Sequence, residues 1–467
     1  MYVFANDIVM RGRAFIPPKF GTSGLRGLVT ELTPELVADH VAAFAASCPV
    51  ETGVFVARDL RPSSPDISNM VMDACRAAGL AVTDCGDLPT PALALAAMGA
   101  GAAAVMVTGS HIPADRNGLK FYTPDGEITK IHEMAIQAAL GQNKSTKLSP
   151  AVVVNDVASR AYVARYVDAF SMQALDGMSI GVYSHSTVGR DLLMDVLRGL
   201  GAGVVELGRS DVFIPVDTEA VDDATRAQLR TWAAHYEHDG IMSMDGDGDR
   251  PLLTNAAGEV IPGDVLGQIT GEHLGADVAM TPVSSNTGAE GDFATVLHTR
   301  IGSPYVISGM EDSGGKVVGY EANGGFLLGF ASKGLAPLMT RDSVLPLIVP
   351  MMCAQGQGLN AVVAGQPARF TASDRLQEVP TDKSKAMIAE FDTIPAVLEL
   401  FLSKFGGVAA SLDRIDGLRI TLTDGRIVHL RPSGNAPECR FYAEADSAAA
   451  AQETLTAGLA ALRTHLG

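Results

Sequence analysis

The densest chemistry in this chain lies in residues 244–251, MDGDGDRP. Asp245, Asp247 and Asp249 recur at every second residue with glycines between them. In an extended or loop backbone that spacing turns three carboxylates to one side. Three oxygen donors on a short flexible loop suit a hard divalent cation such as Mg²⁺, and without a cation to offset them they repel one another. A calcium loop of the EF-hand kind needs Gly at its sixth position and Glu at its twelfth; Arg250 and Ala256 stand there instead. A solvated acidic turn is the plain alternative. Arg250, directly after the acids, is placed for an anion.

Four more loops carry reactive types. Residues 107–122, VTGSHIPADRNGLKFY, place Ser110 beside His111 and ten residues before Lys120. An apolar run precedes them, so the hydroxyl is expected at the C-terminal end of a strand, where open α/β sheets bind ligands. The pair hints at acyl transfer, but the G-x-S-x-G elbow is absent; beside a metal loop, Ser110 is a candidate phosphoryl carrier. Residues 430–445, LRPSGNAPECRFYAEA, set Ser433, Gly434 and Asn435 between Arg431 and Arg440. Successive N–H groups in such a turn form an anion nest, and arginine adds a bidentate fork for phosphate. Residues 19–27, KFGTSGLRG, combine glycines and hydroxyls with Lys19 and Arg26, which again fits phosphate or a flexible turn. Residues 319–326, GYEANGGF, offer Glu321 and Asn323, a carboxylate and an amide able to bind vicinal hydroxyls; taken alone, this is also an ordinary loop.

The elements that must position these loops read as strands alternating with helices. Residues 52–57, 102–107, 179–183 and 203–207 are strand-like, and 63–78 and 189–200 helical. That alternation predicts a largely parallel α/β architecture with short, continuously apolar strands. Residues 141–150, 254–263 and 365–385 read as linkers. Asp424-Gly425 between two apolar runs signals a hairpin, and residues 447–466 a closing helix. The expected division is into four domains, 1–150, 151–258, 259–365 and 366–467, the last a small α+β unit.

Composition bounds the function. Of 467 residues, 47% are hydrophobic and 19% charged, which excludes a disordered chain. A net charge of −18 argues against a nucleic-acid or anionic-membrane binder, since phosphate backbones need a basic face. Basic groups for any anionic substrate must therefore be gathered locally. The five cysteines, Cys48, Cys75, Cys85, Cys353 and Cys439, are odd in number and show no zinc spacing. Reduced, mostly buried thiols in a cytoplasmic protein are expected. The first residues lack the apolar core of a signal peptide, and runs such as 344–353 are shorter than the ~20 residues a bilayer needs.

Taken together and in this order, the five loops resemble those of the α-D-phosphohexomutase family, over essentially the whole chain. The DGDGDR and RPSG loops are the specific parts. The resemblance implies four domains around a central cleft, three similar α/β domains plus a smaller C-terminal α+β domain. It implies that Ser110 is a phosphoserine that donates to a sugar monophosphate and is rephosphorylated by the resulting bisphosphate. Asp245, Asp247 and Asp249 would hold Mg²⁺ with a phosphoserine oxygen of Ser110 as a further ligand. Lys120 would be the general base, His111 the support of the carrier loop, and Arg26 and Arg250 the stabilisers of phosphoryl charge. Glu321 and Asn323 would read the sugar, while Arg431, Ser433, Gly434, Asn435 and Arg440 grip the phosphate that is not transferred. A hexose bisphosphate would serve as activator and intermediate, the substrate partner would be a hexose phosphate, and the protein a monomer or homodimer.

Three departures stand out. The family's TASHNP reads TGSHIP here, with Gly109 and Ile112; its Glu-x-Ser-Gly-His has Asn323 and Gly325; its RPSGTEP has Asn435 and Ala436. The GYEANGG form is most similar to the bacterial branch acting on mannose phosphates, so interconversion of mannose 6-phosphate and mannose 1-phosphate is expected. Glucose or glucosamine phosphates on the same scaffold, a Mg²⁺-dependent phosphatase and a catalytically silent sugar-phosphate binder are the rival readings.

Overall fold

A computed structural model describes residues 18–21, 24–142, 151–433 and 437–466. Its first three sheets repeat one topology. In each, a strand forms first, the next strand pairs parallel on one side, the third pairs parallel on the other, and a fourth returns antiparallel. In the first sheet these are Val54–Arg58, Val82–Asp87, Ala103–Val107 and Arg116–Thr123. In the second they are Ser179–Tyr183, Gly203–Leu207, Gly240–Met244 and Pro251–Leu253. In the third they are Val278–Pro282, Thr295–Thr299, Val317–Tyr320 and Phe326–Leu328. Helices such as Ser64–Ala77, Arg190–Gly199 and Ser303–Ser313 make the crossovers that parallel strands require. Central strands such as Ala103–Val107 and Gly240–Met244 are buried at every position, which is why they read as unbroken apolar runs.

The fourth sheet is antiparallel throughout, in the order Phe370–Gln377, Glu438–Ala445, Ile427–Pro432, Leu418–Leu422, Ala409–Asp413. Helix Ala448–Leu466 packs against it. The predicted turn at Asp424-Gly425 joins Leu418–Leu422 to Ile427–Pro432, with Gly425 at φ +84°. The core is divided unevenly. One apolar cluster runs through all three α/β units, from Leu93 through Ile180 and Leu197 to Leu266 and Leu347. The last unit has its own, around Phe391, Leu402, Phe441 and Leu462. It meets the third unit through polar contacts, Arg300 Nε donating to Ile415 O at 3.0 Å and Ile301 N to Asp416 Oδ2 at 3.1 Å.

Two local differences from the sequence reading have a common cause. Residues 365–385 are not a plain linker, since they contain the strand Phe370–Gln377 and the start of helix Thr381–Thr393. That strand lies at a sheet edge and is largely exposed, so no alternating apolar pattern marks it. Strand Val153–Val154 likewise extends the edge of the first sheet, beside Val82–Asp87. All five cysteines are free and only Cys353 is not fully buried; burial pushes the thiols of Cys75 and Cys85 up to about 12. Among the described residues no helix is long and apolar enough to cross a membrane.

Candidate active site

The repeated topology puts three loops at equivalent places, each where the last parallel strand hands over to the antiparallel one. Ser110 follows Ala103–Val107, the three aspartates follow Gly240–Met244, and Glu321 and Asn323 follow Val317–Tyr320. All lie at the carboxyl ends of the parallel strands, and the three loops converge.

Ser110 is fully buried and sits at φ +54°, uncommon for a residue with a side chain. Its hydroxyl donates to Asp245 Oδ2 at 2.6 Å and lies 3.3 Å from His111 Nδ1. Its N–H donates to Thr108 Oγ1 at 2.7 Å. A buried Asp59–Arg61 pair holds this backbone in place. Arg61 donates to the carbonyls of Ser110, Ile112, Pro113 and Arg116 at 2.5–3.1 Å. Asp59 fixes the guanidinium at 3.1 Å and accepts from Thr108 and Ser64. The Arg61 guanidinium also covers the Phe213 ring, 4.1 Å from its centroid, which ties the Ser110 loop to the second unit. The departure at Gly109 now has a cause: a Cβ there would stand 2.6 Å from Arg61 Cζ.

Sequence reasoning passed over Arg61. Its signal was the ARDLRPSS run leaving the neighbouring parallel strand. Arg61→Lys keeps the charge but cannot fork to four carbonyls. It is expected to lower kcat roughly 10- to 100-fold, by analogy with residues that orient a reactive group indirectly, with KM little changed; steady-state kinetics on folded variant checks this.

The acidic loop is clasped by all three α/β units. Thr90 N donates to Asp247 O at 2.9 Å, Val188 N to Gly246 O at 3.1 Å, and Ser343 Oγ to Gly248 O at 2.7 Å. Gly246 is required by close approach, since a Cβ would lie 2.7 Å from Ser110 O. The three carboxylates are fully buried and offer oxygens within 4.8 Å of one another. Asp247 Oδ1 and Asp249 Oδ1 are buried with no hydrogen-bond partner. Lys120 Nζ donates to Asp247 Oδ2 at 2.5 Å and Asp249 Oδ2 at 2.6 Å. Burial, then the charges of Asp247 and Asp249, push the Asp245 carboxyl well above its usual range. Burial works the same way on Asp247 and Asp249, but Lys120 beside the first and Arg341 beside the second hold both below it. Orphaned oxygens in a dry, all-oxygen cluster fit a divalent cation.

Around this cluster lie cations. Arg250 donates to His111 Nδ1 at 2.8 Å. Burial, then Arg250, lowers the His111 imidazole far below its ordinary value, so the ring is neutral and its Nε2 carries the proton. The guanidinium of Arg26, in the strand Leu25–Leu28, makes no hydrogen bond or ion pair among the described residues. Burial and the nearness of Arg250 and Arg341 lower it to about 10. Asp247 and Asp249 oppose this in part, and a bound phosphate would relieve the remaining crowding of cations.

Glu321 and Asn323 are both buried, and Asn323 Oδ1 accepts from Gly325 N at 3.0 Å, folding its own loop. Thr218 Oγ1 donates to Asn323 O at 2.9 Å. Next to Thr218, Asp217 and Glu219 bring acid to the cleft, which the sequence reading did not anticipate. Glu219 is exposed on the cleft wall. Crowding by the cleft walls and the charge of Asp217 push its carboxyl upward, which its solvent exposure weakens and Arg250 and Arg440 oppose. The fourth unit thus faces the same cleft. There Arg431 and Arg440 are directly paired across adjacent strands, and Arg375 pairs with Arg440 from the other side. Like charges opposed across a sheet are destabilising, and acids offset this row in part, Glu438 Oε1 lying 3.3 Å from Arg375 Nε. Arg431 Nε donates to Asp416 Oδ2 at 2.9 Å. Ser433 N donates to Glu438 O at 2.9 Å, closing the turn; Gly434 and Asn435 lie outside the described residues.

Ser110, His111, Lys120, Arg250 and the three aspartates therefore meet in one linked group, with Arg26 in electrostatic reach. Glu321 joins it through Arg341, and Arg440 lies within electrostatic reach of Glu219.

Comparison with known proteins gives a consistent relationship. Residues 17–147 match the phosphoglucomutase/phosphomannomutase alpha/beta/alpha domain I, and residues 376–457 match the C-terminal domain of the same group. A phosphomannomutase of Sinorhizobium fredii is 45% identical over 96% of this chain and 99% of its own. One from Salmonella muenchen is 42% identical over 96% of both. Phosphoglucosamine mutases among the relatives stand at 26–30% identity. The crystal structure of a phosphoglucomutase/phosphomannomutase family protein from Burkholderia thailandensis superposes with a TM-score of 0.74 at 22% identity. It covers 95% of this chain and 96% of that one, and is evidence of shared fold.

Proposed function

Because the chain belongs to the phosphoglucomutase/phosphomannomutase family and is an intramolecular phosphotransferase, we propose that it interconverts mannose 6-phosphate and mannose 1-phosphate through a phosphorylated Ser110. The observation that carries this reading is the 2.6 Å contact of the Ser110 hydroxyl with Asp245, which sets a carrier oxygen of the first unit against the acidic loop of the second. The substrate follows two relatives above 40% identity, both phosphomannomutases.

In the forward half-reaction the bond between phosphorus and Ser110 Oγ breaks as a bond to a free sugar hydroxyl forms. The hydroxyl proton passes to Lys120 in its neutral form; the ammonium that donates here to Asp247 and Asp249 must first lose its proton, which a cation held by those carboxylates would favour. The product is a bisphosphorylated sugar, which turns over in the cleft and returns its other phosphoryl group to Ser110. Asp245, Asp247 and Asp249 would hold Mg²⁺, which supplies charge neutralisation at the transferring group. Arg26 and Arg250 stabilise the same charge. Glu321 and Asn323 bind sugar hydroxyls. Arg431, Ser433, Gly434, Asn435 and Arg440 hold the phosphate at rest. The division at 150, 258 and 365 then assigns carrier, metal, sugar and phosphate loops to one domain each.

The test is a side-by-side assay of mannose, glucose and glucosamine 1-phosphates with Mg²⁺ and a trace of the matching bisphosphate. A clear kcat/KM preference for mannose 1-phosphate is expected. Preference for another sugar keeps the mechanism and changes the substrate, whereas release of free phosphate without isomerisation overturns the mutase reading. In the same assay Arg431→Ala should raise KM roughly 10- to 100-fold with kcat less affected, the range for hydrogen bonds to a charged group. The resting phosphate is gripped alike in ground and transition states, so a selective fall in kcat would count against this role.

A further inference from the structure

The departure at Gly325 parallels that at Gly109, for in both places a buried arginine occupies the space beside the glycine. A Cβ on Gly325 would lie 2.6 Å from Arg341 Cδ and 2.8 Å from its Cγ. Arg341, in the strand Leu338–Asp342 of the third sheet, is 1% exposed. Its NH2 lies 2.8 Å from Asp249 Oδ2, and its NH1 lies 3.6 Å from Glu321 Oε1. One guanidinium thus spans from the acidic loop to the sugar loop. Ser343, two residues on, binds the same acidic loop through Gly248 O. Asp342 between them is anchored by the hydroxyls of Tyr162 and Tyr166 at 3.2 and 2.9 Å and by Val344 N at 2.8 Å. The strand end is therefore a rigid bracket.

We propose that Arg341 is a positioning residue that sets the carboxylate of Glu321 relative to that of Asp249, and so makes sugar recognition depend on the geometry of the acidic loop. Being buried, it acts through these two carboxylates, with the charge of Glu127 also close to its guanidinium, and not on substrate directly. A planar fork with two separate ends fixes the relative orientation of two carboxylates that lie apart, whereas a lysine ammonium, which like Lys120 can hold two carboxylates at one point, does not set their planes. The glycine at 325 is the counterpart of this arrangement, because any side chain there displaces the arginine stem. The proposal rests on Glu321 reading the sugar.

The experiment compares wild type, Arg341→Gln, Arg341→Lys, Gly325→Ala, Glu321→Gln and the double variant Gly325→Ala/Arg341→Gln. It measures kcat/KM for mannose and glucose 1-phosphates, Mn²⁺ affinity by calorimetry, and melting temperature. Removing a cation from beside Asp249 strengthens the field on a bound metal, so Arg341→Gln should bind Mn²⁺ roughly three- to tenfold more tightly by Coulomb reasoning. Its kcat/KM should nevertheless fall, and its preference between the two sugars should shrink. Arg341→Lys should recover ordinary metal affinity but not sugar preference. Gly325→Ala should copy the loss of preference with the charge intact, and the double variant should lose no more preference than Arg341→Gln alone, as coupled neighbours do. A lowered melting temperature with unchanged metal affinity and sugar preference would reduce Arg341 to a packing role. Multiplicative losses in the double variant would overturn the coupling. If Glu321→Gln leaves every sugar unaffected, the sugar-loop reading fails. If Glu321→Gln matters and Arg341→Gln leaves preference intact, the inference fails by itself.

Discussion

Ser110→Ala is expected to abolish turnover, by a factor on the order of 10⁴ or more, the scale on which losing a covalent carrier is felt. In the proposed mechanism the hydroxyl oxygen exchanges the phosphoryl group with the sugar, and Asp245 is its close carboxylate partner at 2.6 Å. Alanine removes the nucleophile and leaves the Arg61 clamp on the loop carbonyls untouched. Sugar-phosphate binding should therefore survive near the wild-type level by calorimetry. Incubation with a hexose bisphosphate should label wild type, not the variant, with one phosphoryl group by intact mass. Robust turnover or labelling of the variant would remove Ser110 from the carrier role. The positive φ at Ser110 gives a second check. Ser110→Gly suits that backbone but lacks the hydroxyl, so it should be as inactive as alanine while folding at least as well.

Asp247→Asn is the second large effect, a fall in kcat on the order of 10²–10³-fold, as when a group that stabilises transition-state charge is deleted. Asp247 keeps one buried oxygen without a partner and gives the other to Lys120 and Thr90. The amide would neutralise one of three donors and present an N–H₂ to the cation in some orientations. Stability makes the prediction specific. A ligand at about 100 times its Kd adds about 2.7 kcal/mol to the folded state. Wild type should therefore melt higher with added Mg²⁺, and the variant should not. Without metal the two should melt alike, because losing one charge eases the repulsion that raises Asp245 while weakening the ion pair with Lys120. A full Mg²⁺-dependent rise in the variant would mean that the acidic loop does not hold the ion.

Each loop of the site could be found from the chain because each is a short, self-contained run: three acids at spacing two, a serine after an apolar strand, arginines around a tight turn. Local spacing suffices where reactive groups share one segment. Arg61 and Arg341 show the opposite case. Arg61 has a local partner in Asp59, but its task, like that of Arg341, comes from groups on other segments, up to 55 residues away for Arg61. Asp217 and Glu219 were hidden likewise, since nothing in their stretch says that it lines a cleft. The edge strand Phe370–Gln377 escaped because an exposed strand lacks the alternation that burial imposes.

What the chain alone determined is therefore the reaction class and the α/β alternation that carries it, since these follow from residue types at short range and from apolar runs that must be buried. The tertiary structure decided how the same topology, used three times, brings the loops of Ser110, of the three aspartates and of Glu321 to one point. It also decided which arginines are drawn inside, and why Gly109 and Gly325 must be glycine. Burial makes that difference: a guanidinium removed from water has to find oxygens wherever the fold has placed them, and no pattern along the chain records that distance.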